Sequence, residues 1–351
     1  MNQQETFLDK AEAKTFDAEH HRKLLYNIGQ YDKKVIDGKK QYSNLELAKT
    51  RAAAIKHKVI ENLERYLTEF ESAFKKRGGQ VIWALDSDEA IREINKILKK
   101  ANAKTIVKAK SMTTEEIHFN HAMEKEGIES IETDLGEYIV QLRNEPPYHI
   151  VTPAMHLSKE DVAKTFNEKQ GTPLDWTPPQ IVAHVRTLLR EKYTQAEVGV
   201  TGGNFLVADI GAVAVTENEG NALNSVSHPK VHIAIVGIEK IVPTLNDLDL
   251  FWSLLSTHGT GQNLTVYNSI LSGPRQAGET DGPEEMYVVL LDNGRTDLLA
   301  KKEQRRALSC IRCGACLNGC PIYKSVGGHA YGSTYSGPIG SVITPYLNGI
   351  D

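Results

Sequence analysis

A chain of 351 residues with 40% hydrophobic and 25% charged residues has the composition of an ordinary globular protein, one large domain with appendages or two modest ones. Its net charge of −4, with no long basic run, argues against a nucleic-acid partner. Residues 1–14 are polar and charged, which excludes a secretory signal or a transmembrane span there.

Residues 1–42, polar with scattered aromatics (Phe7, Phe16, Tyr26), read as an N-terminal arm of short helical pieces, able to dock on the body or on a partner. A single long helix is expected next. Ser43-Asn-Leu-Glu46 forms a capping box, Gly78-Gly79 provides the stop, and apolar residues from Leu45 to Phe74 recur at steps of three and four. Residues 81–85 predict a strand, Asp86-Ser87 a cap, and Ile91, Ile94 and Leu98 the inner face of a helix. Residues 105–107 predict a strand running into Lys108-Ala-Lys110-Ser111, followed by a helix capped by Thr113-x-x-Glu116. A strand over 148–152 and a helix from Thr177-Pro178 to near Ala196 come next. Short β-rich runs follow at 204–208, 212–216, 231–236, 263–267 and 286–291. The alternation argues for an α/β fold with a mostly parallel sheet. Residues 272–285 form a long turn-rich loop, a surface excursion or a partner contact.

A charged helix over 301–306 leads into Cys310, Cys313, Cys316 and Cys320-Pro321, the only cysteines of the chain. C-x2-C-x2-C-x3-C-P is the spacing of a ferredoxin-type iron–sulfur motif, in which closely spaced thiolates wrap a [4Fe–4S] cluster. Structural zinc sites usually pair two short knuckles across a longer loop, and no second knuckle follows. Thiols kept for a metal imply a reducing compartment, the cytoplasm. In two-cluster proteins the fourth cysteine ligates the other cluster. Cys320 therefore either closes one cluster in an atypical way or serves a second whose remaining ligands lie on sequence not present here. Residues 344–349 show no helix or strand closure, which favours the second. The glycine-rich stretch from Gly327 to Gly340 reads as a close backbone approach to a cluster or partner, or as a flexible connector.

The body has no dinucleotide fingerprint, P-loop or zinc-protease motif. Three polar constellations remain. Lys108, Lys110 and Ser111 at a strand-to-helix turn can hold an anion, or be surface lysines beside a cap. Glu132, Asp134 and Glu137 can do acid/base work or serve as solvated caps. The third set comprises Thr201-Gly-Gly-Asn204, Asn218-Glu219-Gly-Asn221 and Thr257-His-Gly-Thr-Gly-Gln262. It reads as a pocket rim at the ends of β-rich segments, or as ordinary turns. His149, His156, His232 and His258, near these segments, read as hydrogen-bonded core residues rather than ligands.

Several runs together resemble a known family: Lys108–Glu116, Glu132–Ile139, Pro146–Ile150, Asn218–Asn221, Gly237–Pro243, Thr260-Gly261-Gln262 and the cysteine run. The body resembles the LUD domain, and the whole chain is similar to the LUD-domain iron–sulfur subunits of bacterial L-lactate oxidation systems, over nearly all of residues 43–351. The resemblance implies a fold like that of sugar isomerases, CoA transferases and formyltetrahydrofolate cyclo-ligases, carrying a C-terminal ferredoxin-type helical segment. The expected organisation is a 1–42 arm, a 43–300 LUD α/β domain and an incomplete 301–351 cluster segment. The resemblance also implies two [4Fe–4S] motifs in the family, with Cys310, Cys313 and Cys316 on one cluster and Cys320 on the other. It implies companion lactate utilization proteins A and C, oxidation of L-lactate to pyruvate, and an electron acceptor the sequence does not name. An electron-transfer subunit is the leading expectation. The alternatives are a catalytic body acting on a small carboxylate, with Glu219 as base or nucleophile and Lys108, Lys110, Ser111, Asn204, Asn221 and Gln262 binding the anion, or service to another 2-hydroxy-acid oxidase such as glycolate oxidase. A scaffold or redox sensor is a third.

Overall fold

The structure, a computed structural model, describes residues 3–347. The expected 1–42 and 301–351 segments and the 344–349 run extend onto residues outside that range. Ten strands are described: β1 (Gln80–Ala84), β2 (Thr105–Lys108), β3 (Glu129–Glu132), β4 (Val198–Gly202), β5 (Phe205–Val207), β6 (Ala212–Glu217), β7 (Val231–Gly237), β8 (Ile241–Val242), β9 (Tyr267–Leu271) and β10 (Glu285–Leu291). Six of them form a wholly parallel sheet in the order β1-β10-β7-β4-β2-β3. The other four form a small sheet, β8-β5-β6-β9, with β5–β6 and β6–β9 antiparallel.

A parallel sheet covered on both faces needs strands apolar on both sides. β7 (Val-His-Ile-Ala-Ile-Val-Gly) meets that need, buried at every position, and so do the last six residues of β10. One face packs against helix Leu63–Lys76 through Leu67, Phe70 and Phe74; the other packs against helix Ser87–Lys100 through Ile94, Ile97 and Leu98. From β2 the chain winds outward to β3, then returns past β2 to β4. The strand order therefore reverses between β2 and β4, where parallel sheets open a crevice at the strands' carboxyl ends.

Several sequence expectations change. The long helix is two, Leu45–Ile60 and Leu63–Lys76; between them the Asn62 amide donates to Lys58 O at 2.9 Å, a side chain competing with the helix ladder. Its N-cap is Asn44, which accepts from Leu47 N, not Ser43. Ser111, not Thr113, caps helix Met112–Glu116. Residues 148–152 form no strand, because Val151 N and Thr152 N donate to His149 Nδ1 instead of a neighbouring strand. Residues 257–260 close a helix, Leu248–Thr260, ended by left-handed Gly261, rather than following a strand. The expected strand over 263–267 begins only at Tyr267. The charged run before the cysteines is a turn and a 3-10 helix, Gln304–Ser309. Residues 344–347 belong to helix Gly337–Leu347, so the final run is helical as far as it is described.

The arm is two helices, Gln3–Thr15 and Ala18–Gly38, longer than expected. The second buries Leu24 and Ile28 against Tyr148, Leu317 and Tyr323, which seats it on the body and the cysteine segment together. Among the described residues no helix is long and apolar enough to cross a membrane.

Candidate functional site

The crevice at the switch point is a cleft of about 410 Å³. Lys110 and Ser111 enter from the end of β2, Thr201 to Asn204 from the end of β4, and Asn218, Glu219 and Asn221 from the turn after β6. Gly202 brings these segments close, since a Cβ there would lie 2.6 Å from Ser111 Oγ. Asn204 Oδ1 accepts from Thr216 N at 2.8 Å, leaving its NH2 toward the cleft, and Lys110 donates to Val151 O. Glu219 stands at the exposed rim and accepts from Leu135 N at 3.3 Å; lost solvation and then the Asp134 carboxylate raise it above the usual carboxylate range.

Two predicted residues lie elsewhere. Lys108 is fully buried, ion-paired to Glu132 at 2.6 Å and Glu115 at 3.1 Å, so its charge is already matched away from the cleft. Gln262 is outside the lining, exchanging hydrogen bonds with Asn218 at 3.0 and 2.9 Å. Of the acidic set only Asp134 caps a helix, Leu135–Leu142. Glu132 and Glu137 are buried beside Lys108, and burial followed by the Glu132 charge pushes Glu137 well up. The four histidines are hydrogen-bonded: His149 to two backbone amides, His156 to Glu145 at 2.9 Å, His232 to Thr201 at 2.9 Å and His258 to Leu254 O at 2.8 Å.

The cysteine run forms one wall of this cleft. Gly314, at φ 80°, turns the chain into the short helix Ala315–Gly319, and Cys320 caps the next helix, Pro321–Val326, with proline where a missing N–H costs least. Cys310, Cys313 and Cys316 line an apolar cavity of about 460 Å³ with Ile150, Gly314, Ala315, Pro338 and Ile339; Cys320 lies outside it. Arg312, Cys313 and Ile150 line this cavity and the cleft alike.

The donor set fits an iron–sulfur cluster. Cys310, Cys313 and Cys316 converge on one apolar cavity, and a cubane takes one thiolate at each of three irons from such a set. Two sulfurs already receive backbone N–H groups, Cys310 from Arg312 at 3.4 Å and Cys320 from Tyr323 at 3.5 Å. Burial pushes the Cys313 thiol up to about 11 and raises Cys316, so cationic iron must draw off their protons on binding.

A buried ion network fixes this wall to the body. Arg295 grips Glu116 through two parallel bonds of 2.8 and 2.9 Å and Glu239 at 2.5 Å, and Arg312 meets Glu239 at 3.2 Å. Tyr335 donates to Glu116 at 3.0 Å and lies under the Arg312 guanidinium at 4.8 Å. Gly237 makes the room, since a Cβ there would fall 2.2 Å from Glu239 Oε2. Lys56 and Lys240 are also buried here, and burial lowers them to about 8 and about 7, so an anionic cluster nearby would favour their charged forms. Lys240, Arg312 and Tyr335 acquire roles that sequence reading did not assign. Lys240 lies in the quoted Gly237–Pro243 run and Arg312 inside the cysteine run, so position alone was the available signal.

Comparison with known proteins places this geometry in a family. The LUD domain model matches residues 67–291, and the 4Fe-4S dicluster domain model matches residues 306–349. Lactate utilization protein B of Bacillus licheniformis is 45% identical over 317 residues, 90% of this chain and 66% of that protein. The Escherichia coli protein described as uncharacterized electron transport protein YkgF is 44% identical over 322 residues, 92% of this chain and 67% of that one. The chain thus spans about two thirds of the length of the curated relatives it matches. A DUF162 family protein of Deinococcus radiodurans, at 15% identity and a TM-score of 0.38, covers 65% of this chain and 98% of its own, a likeness too loose to add to the fold described above. With one model spanning most of the α/β body and a second spanning the cysteine run, this chain belongs to the LUD-domain family, in company with the lactate utilization B proteins.

Proposed function

We propose that this protein is the iron–sulfur electron-transfer subunit of a cytoplasmic system oxidising L-lactate to pyruvate, working with companion lactate utilization proteins A and C. The observation that carries the reading is the division of the cysteines: Cys310, Cys313 and Cys316 share one apolar cavity, while Cys320 stands outside it. The first three are then ligands of one [4Fe–4S] cluster, and Cys320 serves a second. The relatives' names, lactate utilization protein B and electron transport protein, support the direction of the chemistry. Residues 43–300 serve as the LUD body and 301–351 as the cluster-bearing segment.

A bound cluster supplies one-electron redox chemistry, so the two electrons of a lactate must pass singly. The chain's own part is to hold and tune. Ile150, Pro338 and Ile339 give the cavity an apolar lining, and the Arg312 amide hydrogen-bonds the Cys310 sulfur. Nearby cations lower the cost of added negative charge. Anaerobic reconstitution of the full-length protein, with iron, sulfide and zinc counts, tests the reading. Iron and sulfide in equal amount with a cubane absorption band are expected; zinc, with no EPR signal after reduction, overturns it.

The raised Glu219 carboxyl at the cleft rim favours one further reading, a body that is itself catalytic on a small carboxylate. Glu219→Gln in the assembled complex then abolishes lactate oxidation with cluster content intact. Under the electron-transfer reading the substitution is mild.

A further inference from the structure

The cleft is chemically polarised. At its inner end, against the cysteine loop, stand two cations whose donors the protein leaves unused. Lys240 is only 9% exposed and no hydrogen bond or ion pair among the described residues reaches its amine; burial, followed by the Arg312 charge, lowers it to about 7, so a bound anion would favour its charged form. The Arg312 side chain is 7% exposed; its Nη2 meets Glu239, but Nε and Nη1 have no partner. Buried donors left unmade cost about 1–3 kcal/mol each, more when charged, so half a guanidinium without acceptors is expensive unless something occupies it. Both side chains line the cleft.

At the outer end the sign reverses. Glu219 and Asp134 face the rim, where they repel an anion with charge spread along its length, such as a nucleotide. Between the two ends the wall is mixed: the Asn204 amide, Ser111 and Thr201 stand beside Val215 and Leu255, while Lys110 is engaged by Val151 O and Glu217 by the Ala222 and Leu223 amides. A volume of about 410 Å³ sits in the range of small-molecule sites, about 300–1,000 Å³. A planar guanidinium edge with an adjacent amine matches a carboxylate or a phosphate alike; the Asp134 and Glu219 carboxylates at the rim weigh against the more highly charged of the two.

We infer that this cleft binds a small monocarboxylate, its carboxylate on Lys240 and Arg312 and its short body among Asn204, Ser111 and Val215, beside the Cys313 end of the cluster loop. This does not rest on the lactate reading. A protein that binds such an anion yet takes no electrons from lactate keeps the site and loses only that reading.

The test is calorimetric titration of the anaerobically reconstituted full-length protein with pyruvate, L-lactate and inorganic phosphate. The carboxylates bind and phosphate does not compete. Lys240→Met weakens carboxylate binding about 10- to 100-fold, the loss of one charge-assisted contact. Because that variant can also misfold, a second readout uses the unsubstituted protein: saturating carboxylate shifts the EPR spectrum of the reduced cluster, since Cys313 belongs to the cleft wall. No binding up to about 10 mM, phosphate binding as tightly as pyruvate, full affinity in a folded Lys240→Met protein, or an EPR spectrum indifferent to bound carboxylate would each overturn the assignment.

Discussion

Glu239→Gln removes the carboxylate that joins Arg295 to Arg312, at the seam between the body and the cysteine loop. Both arginines and Glu239 are nearly solvent-free, so the loss leaves guanidinium charge without its counter-ion. Two routes give the size. Burial alone would raise the Glu239 carboxyl, yet Arg295 and Arg312 hold it at about 2 against an ordinary 4.5. That difference corresponds to about 3 kcal/mol. Breaking a buried pair from one side costs about 3–5 kcal/mol, and glutamine, which still accepts one hydrogen bond, belongs at the lower end. At about 2 °C per kcal/mol for a chain of this size, the apparent unfolding midpoint falls by about 6 °C. Anaerobic differential scanning calorimetry at one fixed scan rate reads this on cluster-free and reconstituted protein alike. Pairing Glu239→Leu with Arg312→Leu removes both charges, and the double variant should cost less than the two single changes added together. A Glu239→Gln midpoint within about 1 °C of the parent, or strict additivity in the double variant, would show that the network does not hold the seam.

The same carboxyl predicts a pH dependence. Its folded pKa lies below its unfolded one, so its stabilisation is complete above about 4.5 and disappears as pH falls towards 2. The gap between parent and Glu239→Gln midpoints should therefore close across that window; a constant gap contradicts the assignment. Gly327→Ala, at φ 71° and with a Cβ that would sit 1.3 Å from the Tyr148 hydroxyl, should destabilise by about 2 kcal/mol or more and loosen the arm, read as faster proteolysis near Ala18–Gly38. Unchanged stability and protection would mean the loop repacks freely. Cys320→Ala should leave the EPR signal of the first cluster, whereas Cys310→Ala should abolish it. Equal loss in both would place all four sulfurs on one cluster.

What the sequence disclosed follows from how local each cause is. Iron–sulfur spacing is a local geometry, so Cys310 to Cys320 could be read directly. β7 and β10 were visible because a strand buried on both faces is a continuous apolar run. β4, Val-Gly-Val-Thr-Gly, was hidden by glycines that packing demands: a Cβ on Gly199 would lie 1.7 Å from Ser225 O. Gly261 misled in a similar way. It ends a helix in the left-handed region while touching the Lys34 backbone, a contact 227 positions distant in sequence that no local pattern announces. The cleft's rim could be guessed from its Gly/Asn turns. Its inner end could not, because Lys240 and Arg312 meet only once the cysteine loop has folded onto the end of β7. Lys108 shows the converse: a lysine beside a helix start looks like an anion clamp until two buried glutamates claim it.

The proposed function requires electrons from lactate to pass through the cluster held by Cys310, Cys313 and Cys316. Its most direct test is rapid-freeze EPR of the full-length protein assembled with its companion subunits, mixed anaerobically with L-lactate. A reduced [4Fe–4S] signal should grow as pyruvate forms, and should disappear in Cys313→Ser together with electron delivery to an external acceptor. Undiminished lactate oxidation and acceptor reduction in a Cys313→Ser complex that lacks the cluster would contradict it.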